Sequence, residues 1–245
     1  MNVFRVLLAV TAMLFGAVSA HAQAVHGQGT WESTLLGRDI NLNPVAATSD
    51  AAVYLYDTTL NVTWLRDANM NGAMDWNTAM SWAANLVTGS GAAAISGWRL
   101  PTMAANEYPS WSLDGSTALG YNVPTSSSEM ASLFFSTLGN KSYRDINANI
   151  QAGSGLTNTG SFQNMQSMYY WLGALNASYT DNPWFFRTND GYQDAFYPKF
   201  YQLSAMAVHP GDVTPVPEPE TYAMLLAGLG LIGAVARRRK VGSML

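Results

Sequence analysis

Apolar and polar positions change their period along the chain, and each change marks an element. Two apolar-rich runs, Ala52-Val-Tyr-Leu-Tyr56 and Leu60-Asn-Val-Thr-Trp-Leu65, lie on either side of Asp57-Thr58-Thr59 and predict a β-hairpin. Upstream, Gly29 to Leu35 predicts a first strand and Asn41 to Asp50 a loop. The period then lengthens. Trp76, Ala79, Met80, Ala83 and Val87 recur at helical spacing behind Asp75, which stands in N-cap position, so a helix with one buried face is expected over Trp76 to Val87. Gly89-Ser90-Gly91 ends it. A second helix is expected from Ser126, where Ser126 and Glu129 have the spacing of a capping box ahead of Met130, Leu133 and Phe134. Downstream, Tyr169-Tyr-Trp-Leu172, Trp184-Phe-Phe-Arg187 and Tyr201-Gln-Leu-Ser-Ala-Met-Ala-Val208 read as strands, with Asn189-Asp190-Gly191 as a turn between two of the runs. Two helices among short strands predict an α+β domain.

Composition narrows what such a domain does. The chain has 245 residues, 48% of them hydrophobic and only 11% charged, with 8 Trp and 12 Tyr. A chain of that make-up buries a large core and is neither disordered nor built for nucleic acid. Cysteine is absent, which excludes disulfides, thiolate metal sites and Cys nucleophiles. Three histidines are present, and His21 falls in a segment expected to be removed; His26 lies in a leader and His209 at the end of the last strand.

Both ends read as addresses. Residues 1–22 have the anatomy of a signal peptide: Arg5, an apolar stretch from Val6 to Val18, and Ala20-His21-Ala22 as a small-x-small cleavage site. At the other end Pro215-Val216-Pro217-Glu218-Pro219-Glu220 makes a stiff spacer, followed by apolar residues and then Arg237-Arg238-Arg239-Lys240. Residues 221–236 as a helix would span about 24 Å at ~1.5 Å per residue, slightly short of a ~30 Å hydrocarbon core but within tolerated mismatch. The basic cluster sets the C-terminus in the cytoplasm and the bulk of the protein outside. Pro217, Glu218 and Pro219, the glycine-rich apolar run from Gly228 to Gly233, and Arg237, Arg238 and Arg239 together resemble the PEP-CTERM sorting signal. That resemblance implies a Gram-negative protein exported across the inner membrane and held there transiently. An exosortase would then process it for the outer surface or the exopolysaccharide matrix. Between the two ends, residues 23–220 hold 7 Lys or Arg and all 16 Asp or Glu, so the exported part carries a charge of -9. An acidic surface avoids polyanions such as nucleic acid.

The motif order in the middle carries a second resemblance. The hairpin ending Thr63-Trp64-Leu65-Arg66-Asp67-Ala68-Asn69, the Trp76-Asn77-Thr78-Ala79 helix, Gly97-Trp98-Arg99-Leu100-Pro101-Thr102, Tyr170-Trp171 and Ala207-Val208-His209-Pro210-Gly211 resemble the Lcl C-terminal domain family over about residues 53–212. In that family a Glu-Leu pair follows the pentapeptide closely, whereas here Met103 to Pro124 intervene before Glu129-Met130 and read as an insertion. Family members often end in Arg where this chain has His209. Arg-Leu-Pro-Thr also occurs in sulfatase-modifying-factor domains, so the resemblance implies a C-type-lectin-like fold, its N- and C-terminal strands paired beside two helices. The cysteine-dependent chemistry of those factors does not transfer. The expected organisation is a signal peptide at 1–22, a leader and first strand at 23–52, the Lcl-like domain at 53–212, a Pro/Glu linker at 213–220, and a transmembrane sorting helix with its basic tail at 221–245.

Several residue sets carry candidate chemistry. Asp67, Asn69, Asn71, Gly72 and Asp75 match alternate positions of a calcium loop, although Thr78 stands at the twelfth position and no helix precedes the loop. The alternative is an Asn/Gly turn entering a helix with Asp75 as its cap. Trp98, Arg99, Leu100, Pro101 and Thr102 are expected to be structural, Arg99 pairing with a carboxylate such as Asp67. Asn189-Asp190 resembles the calcium-ligating pair of sugar-binding lectins, and equally forms a hairpin turn. Asp181, Asp190 and Asp194 would serve a glycosidase only if two of them stood ~5 to 9.5 Å apart. Among the aromatics, Trp171, Trp184 and Tyr192 are candidates for stacking on sugar rings, while most of Phe185, Phe196, Tyr197 and Tyr201 are expected in the core. No Gly-x-Ser-x-Gly elbow, phosphate loop or His-Glu-x-x-His motif is present. The sequence therefore points to an exported, non-enzymatic module that binds glycan or matrix, or a purely structural matrix protein, with a carbohydrate-active enzyme ranked last.

Overall fold

The computed structural model describes residues 22–104 and 110–214, together with Leu226, Ala227, Leu229 and Ile232. The signal peptide, the Pro/Glu linker and nearly all of the sorting helix lie outside the described residues. Among the described residues no helix is long and apolar enough to cross a membrane.

The chain forms a mixed α+β structure dominated by two sheets. The first has the order β11-β4-β3-β1-β2, built from β1 (Leu35–Arg38), β2 (Pro44–Val45), β3 (Tyr54–Asp57), β4 (Val62–Leu65) and β11 (Val208–Pro210). The second has the order β5-β10-β7-β8-β9-β6, from β5 (Ala73–Met74), β6 (Gly120–Tyr121), β7 (Tyr169–Leu175), β8 (Pro183–Arg187), β9 (Tyr192–Asp194) and β10 (Leu203–Ser204). The expected hairpin is β3–β4, antiparallel with Tyr54 opposite Leu65 and Asp57 opposite Val62. Helix α2 (Trp76–Asn85) begins where its cap predicts, Asp75 accepting from the Thr78 amide, and it stops short of Val87, which is exposed.

Successive residues of β7 and β8 take opposite faces of the second sheet. Tyr170, Leu172, Trp184 and Phe186 turn to the main core, where they meet Trp64, Phe134 and Met206. Trp171 and Phe185 turn the other way and pack under α2 with Trp76, Ala79 and Ala83. The fixed pleat thus gives one sheet two buried faces.

Four expectations need correction. The 23–52 segment is built into the fold, β1 lying inside the first sheet against β3 with Leu35 opposite Asp57. The segment before it is no loose leader: Val25 donates to Asn158 Oδ1, and Gln28 Nε2 donates to the carbonyls of Leu138 and Gly139. There Gly29 and Gly139 meet backbone to backbone, and a Cβ on Gly139 would fall 2.4 Å from the Gly29 nitrogen. The predicted first strand over Gly29 to Leu35 is instead a short helix, α1 (Trp31–Thr34), that buries Trp31, and the strand starts at Leu35.

The second helix is capped by Ser128, not Ser126, and consists of α3 (Glu129–Ala131) running into a π-helical stretch, Ser132–Thr137. Glu129 is drawn out of capping duty by Arg99, as described below. Finally, the last strand β11 pairs with β4, not with β1, so the terminal strands share a sheet without touching as partners.

Candidate functional site

The Trp-Arg-Leu-Pro-Thr segment is a structural junction. Arg99 exchanges backbone hydrogen bonds with Val208 at 2.9 and 2.8 Å, laying the segment beside β11. Trp98 is buried, stacked on Tyr54 at 5.9 Å and edge-on to His209 at 5.7 Å. Leu100 packs into the α2 cluster, and the Pro101 carbonyl accepts from Gly173 on β7. The Arg99 guanidinium donates to both oxygens of Glu129 at 2.7 Å, and the Thr102 amide donates to the same carboxylate. The expected partner Asp67 is not used: its oxygens accept from the Asn69 amide and the Asn164 side chain. Arg99 finds Glu129 because the chain between them leaves and returns at one neck, where Met103 bridges Ser128. The insertion closed by that neck supplies edge strand β6, which pairs with β9.

Of the calcium-loop residues, Asp67 and Asp75 are engaged in the turn, while Asn69 Oδ1 is buried without a hydrogen-bond partner. Asp75 accepts from both the amide and the hydroxyl of Thr78, so Thr78 serves the helix cap instead of offering a carboxylate at the twelfth position. Those bonds, led by that of the Thr78 side chain, hold the Asp75 carboxyl below its ordinary value. The Gly72 amide donates to Asn69, closing the turn across Asn71. Among the described residues no group of three acidic or histidine side chains is placed to hold a metal. The bonds of Asp75 are those of a helix-entry turn with Asp75 as its cap.

Asp181 and Asp190 stand at opposite ends of β8, whose five residues span roughly 17 Å at ~3.3 Å each, too far for a glycosidase pair. Asp190 is buried at the β8–β9 turn and paired with Arg187. Burial pushes its carboxyl up while Arg187 opposes the shift. Asp194 is also buried, with Oδ1 accepting from the Ala195 amide. His209 is held below the ordinary imidazole range by burial against the Trp98 junction. His26 lies exposed beside Glu32 at 2.7 Å.

The aromatic candidates divide sharply. Trp171 and Trp184 are fully buried and offer no face to a ligand, which corrects that expectation. Tyr192 is half-exposed and belongs to a feature that single residues in the sequence do not reveal. The register sets Tyr169 opposite Arg187, Arg187 opposite Tyr192, and Tyr192 opposite Tyr121. Residues in direct register share a face, so one row crosses β7, β8, β9 and β6. Within it the Arg187 guanidinium lies 5.2 Å from the Tyr169 ring and 5.0 Å from the Tyr192 ring, and Tyr192 meets Tyr121 at 4.8 Å. Beyond β7 the row continues through Tyr197, 5.7 Å from Tyr169, to Tyr201 at 4.6 Å and on to Phe200 at 5.2 Å. Phe200 and Tyr201 are exposed by 73% and 43%. These separations are those of favourable aromatic contacts.

The row runs into an open groove of about 640 Å³ lined by Phe200, Lys199, Asp181, Asn182, Gln202 and Asp75. Its Lys199 ammonium lies 5.5 Å from the Trp76 ring and 3.8 Å from Asp181. The sequence signal that was available is the run Phe196-Tyr197-Pro198-Lys199-Phe200-Tyr201, whose Pro lacks the amide a strand interior needs and whose rings crowd one short segment.

No curated protein and no solved structure matches the chain. Residues 215–240 match the model of the PEP-CTERM protein-sorting motif, shortly after Asp212, which pairs with Arg38, and Val213, which is buried. The chain thus carries a PEP-CTERM protein-sorting motif, which implies export across the inner membrane and exosortase-dependent sorting to the envelope.

Proposed function

We propose that the exported part is a non-catalytic module that binds glycan in the envelope or extracellular matrix, where its sorting tail delivers it. The observation that carries this reading is the half-exposed aromatic row over β7, β8, β9 and β6, continued by Tyr197, Tyr201 and Phe200. Flat rings bury the apolar faces of sugars, and the amides of Asn182 and Gln202 at its end both donate to and accept from hydroxyls. The separation of Asp181 from Asp190 along β8 and the burial of Asp190 and Asp194 favour binding over hydrolysis. The C-type-lectin-like fold and the Lcl-like ancestry belong to the same proposal, supported by the Trp98 to Thr102 segment tying β11, β7 and α3 together.

Co-sedimentation of the exported chain, purified in mild detergent, with the host's own exopolysaccharide tests it. Tyr201→Ala is expected to weaken binding about tenfold, the value of one lost ring contact, with the thermal transition unmoved. EDTA is expected to change neither binding nor transition, because Asp67 and Asp75 already serve the turn. Sedimentation identical with and without the polysaccharide overturns the reading in favour of a purely structural matrix protein.

A further inference from the structure

We infer that the aromatic row selects an extended, uncharged polysaccharide and turns polyanionic chains away; this rests on the glycan-binding reading above. Its length is the first argument. Four adjacent strands at ~4.8 Å put the Tyr169-to-Tyr121 part alone at about 14 Å, so the row exceeds one sugar ring and rewards a chain that lies across the strands.

Charge is the second argument. The one guanidinium in the row, Arg187, is neutralised by Asp190 and clasped between two tyrosine rings. Elsewhere Arg38 pairs with Asp212 and Arg99 with Glu129, while Arg66 is buried against the carbonyls of Ser161, Ser49 and Ala52. Arg144 donates to the Ala148 carbonyl beside the Tyr143 ring. Recognition of uronate or sulfate needs a cation free to make charge-assisted bonds, whereas Lys199, the cation lining the groove at the row's end, is held between Asp181 at 3.8 Å and the Trp76 ring at 5.5 Å. At its open end stands Asp181, whose side chain is 94% exposed. A negative chain approaching along the groove meets that carboxylate on a protein already at -9 between residues 23 and 220, a repulsion that salt weakens over a Debye length of about 8 Å. Neutral hydroxyls meet Asn182, Gln202 and bare rings instead.

Affinity electrophoresis of the exported chain in mild detergent tests this, with gels containing hydroxyethyl cellulose, laminarin or alginate at low and physiological salt. The expected result is retardation by a neutral polymer, none by alginate at either salt, and a dissociation constant falling about tenfold from a disaccharide to a hexasaccharide of the retarding polymer, equivalent to one further ring contact. The double variant Phe200→Ala, Tyr201→Ala, with its near-ultraviolet circular dichroism intact, is expected to lose most of the retardation. Alginate retarding as strongly as a neutral polymer overturns the selectivity and leaves the glycan reading standing. Retardation by none of the three overturns the selectivity, and co-sedimentation with the host's exopolysaccharide then decides the glycan reading by itself. Retardation unchanged in the double variant removes the row as the site.

Discussion

Asp57 has no exposed surface, and its carboxylate accepts from the amides of Thr59 and Leu60 and from the Thr137 hydroxyl. Burial raises its pKa in spite of those bonds. A raised folded value means that its contribution to stability is present below the unfolded value and is lost as pH rises through the folded one. Asp57→Asn keeps an oxygen for the two amides and removes the titration. Urea unfolding of both forms from acid to neutral pH should show wild type losing ground relative to the variant as pH rises. Asp57→Ala strands three donors and is expected to cost about 3 kcal/mol. Glu129→Gln leaves Arg99 without its charged partner across the neck of the insertion and is expected to cost about 2 kcal/mol by urea titration. Neither role was legible beforehand: Asp57 reads as a turn residue, and Glu129 as half of a capping box, until the fold places Thr137 and Arg99 beside them.

Two loops share one design. Arg38-Asp39-Ile40-Asn41-Leu42-Asn43 and Arg144-Asp145-Ile146-Asn147-Ala148-Asn149 each close with the Asp Oδ1 accepting two amides and Oδ2 accepting the last Asn side chain at 3.1 Å. Their fifth residues, Leu42 and Ala148, are left-handed at φ 69° and 67°. That conformation costs a side chain about 1 kcal/mol. Ala148→Gly, at an exposed site, should gain about 0.5 kcal/mol once the looser unfolded chain is counted. Leu42→Gly should lose about 2 kcal/mol, because Leu42 is buried in the Tyr54 and Trp98 cluster; chemical denaturation of the two variants separates the effects. The asparagine bonds lower the Asp39 and Asp145 values, so their contribution is present above the unfolded pKa and lost as pH falls through the folded one. In the same part of the fold, Arg38 on β1 donates to Asp212 at 2.5 Å, just beyond β11. A chain ending at Gly211 leaves Arg38 buried without its partner, and is expected to lose about 3 kcal/mol.

For the molecule as a whole, that clamp separates two tasks. Val213 is buried against the Tyr54 and Trp98 cluster, and the sorting motif matches residues 215–240, so a variant of the motif is expected to alter delivery and leave folding alone. Replacing Pro217, Glu218 and Pro219 with alanine should keep the chain in the inner-membrane fraction on cell fractionation, with an unchanged thermal transition. Aromatic-row variants should do the reverse, reaching the envelope normally and failing to retain matrix polysaccharide.

The address, the hairpin, the α2 helix with its Asp75 cap and the absence of cysteine chemistry followed from the sequence, because each depends on neighbours a few residues apart. Register was beyond its reach. Tyr169, Arg187, Tyr192 and Tyr121 stand on four strands, and only strand pairing brings them into one row. The burial of Trp171 and Trp184, the Arg99–Glu129 pair across the insertion and the place of β1 within the sheet are of the same kind. They depend on which face of a pleat meets which element, and that is decided when distant segments pack together.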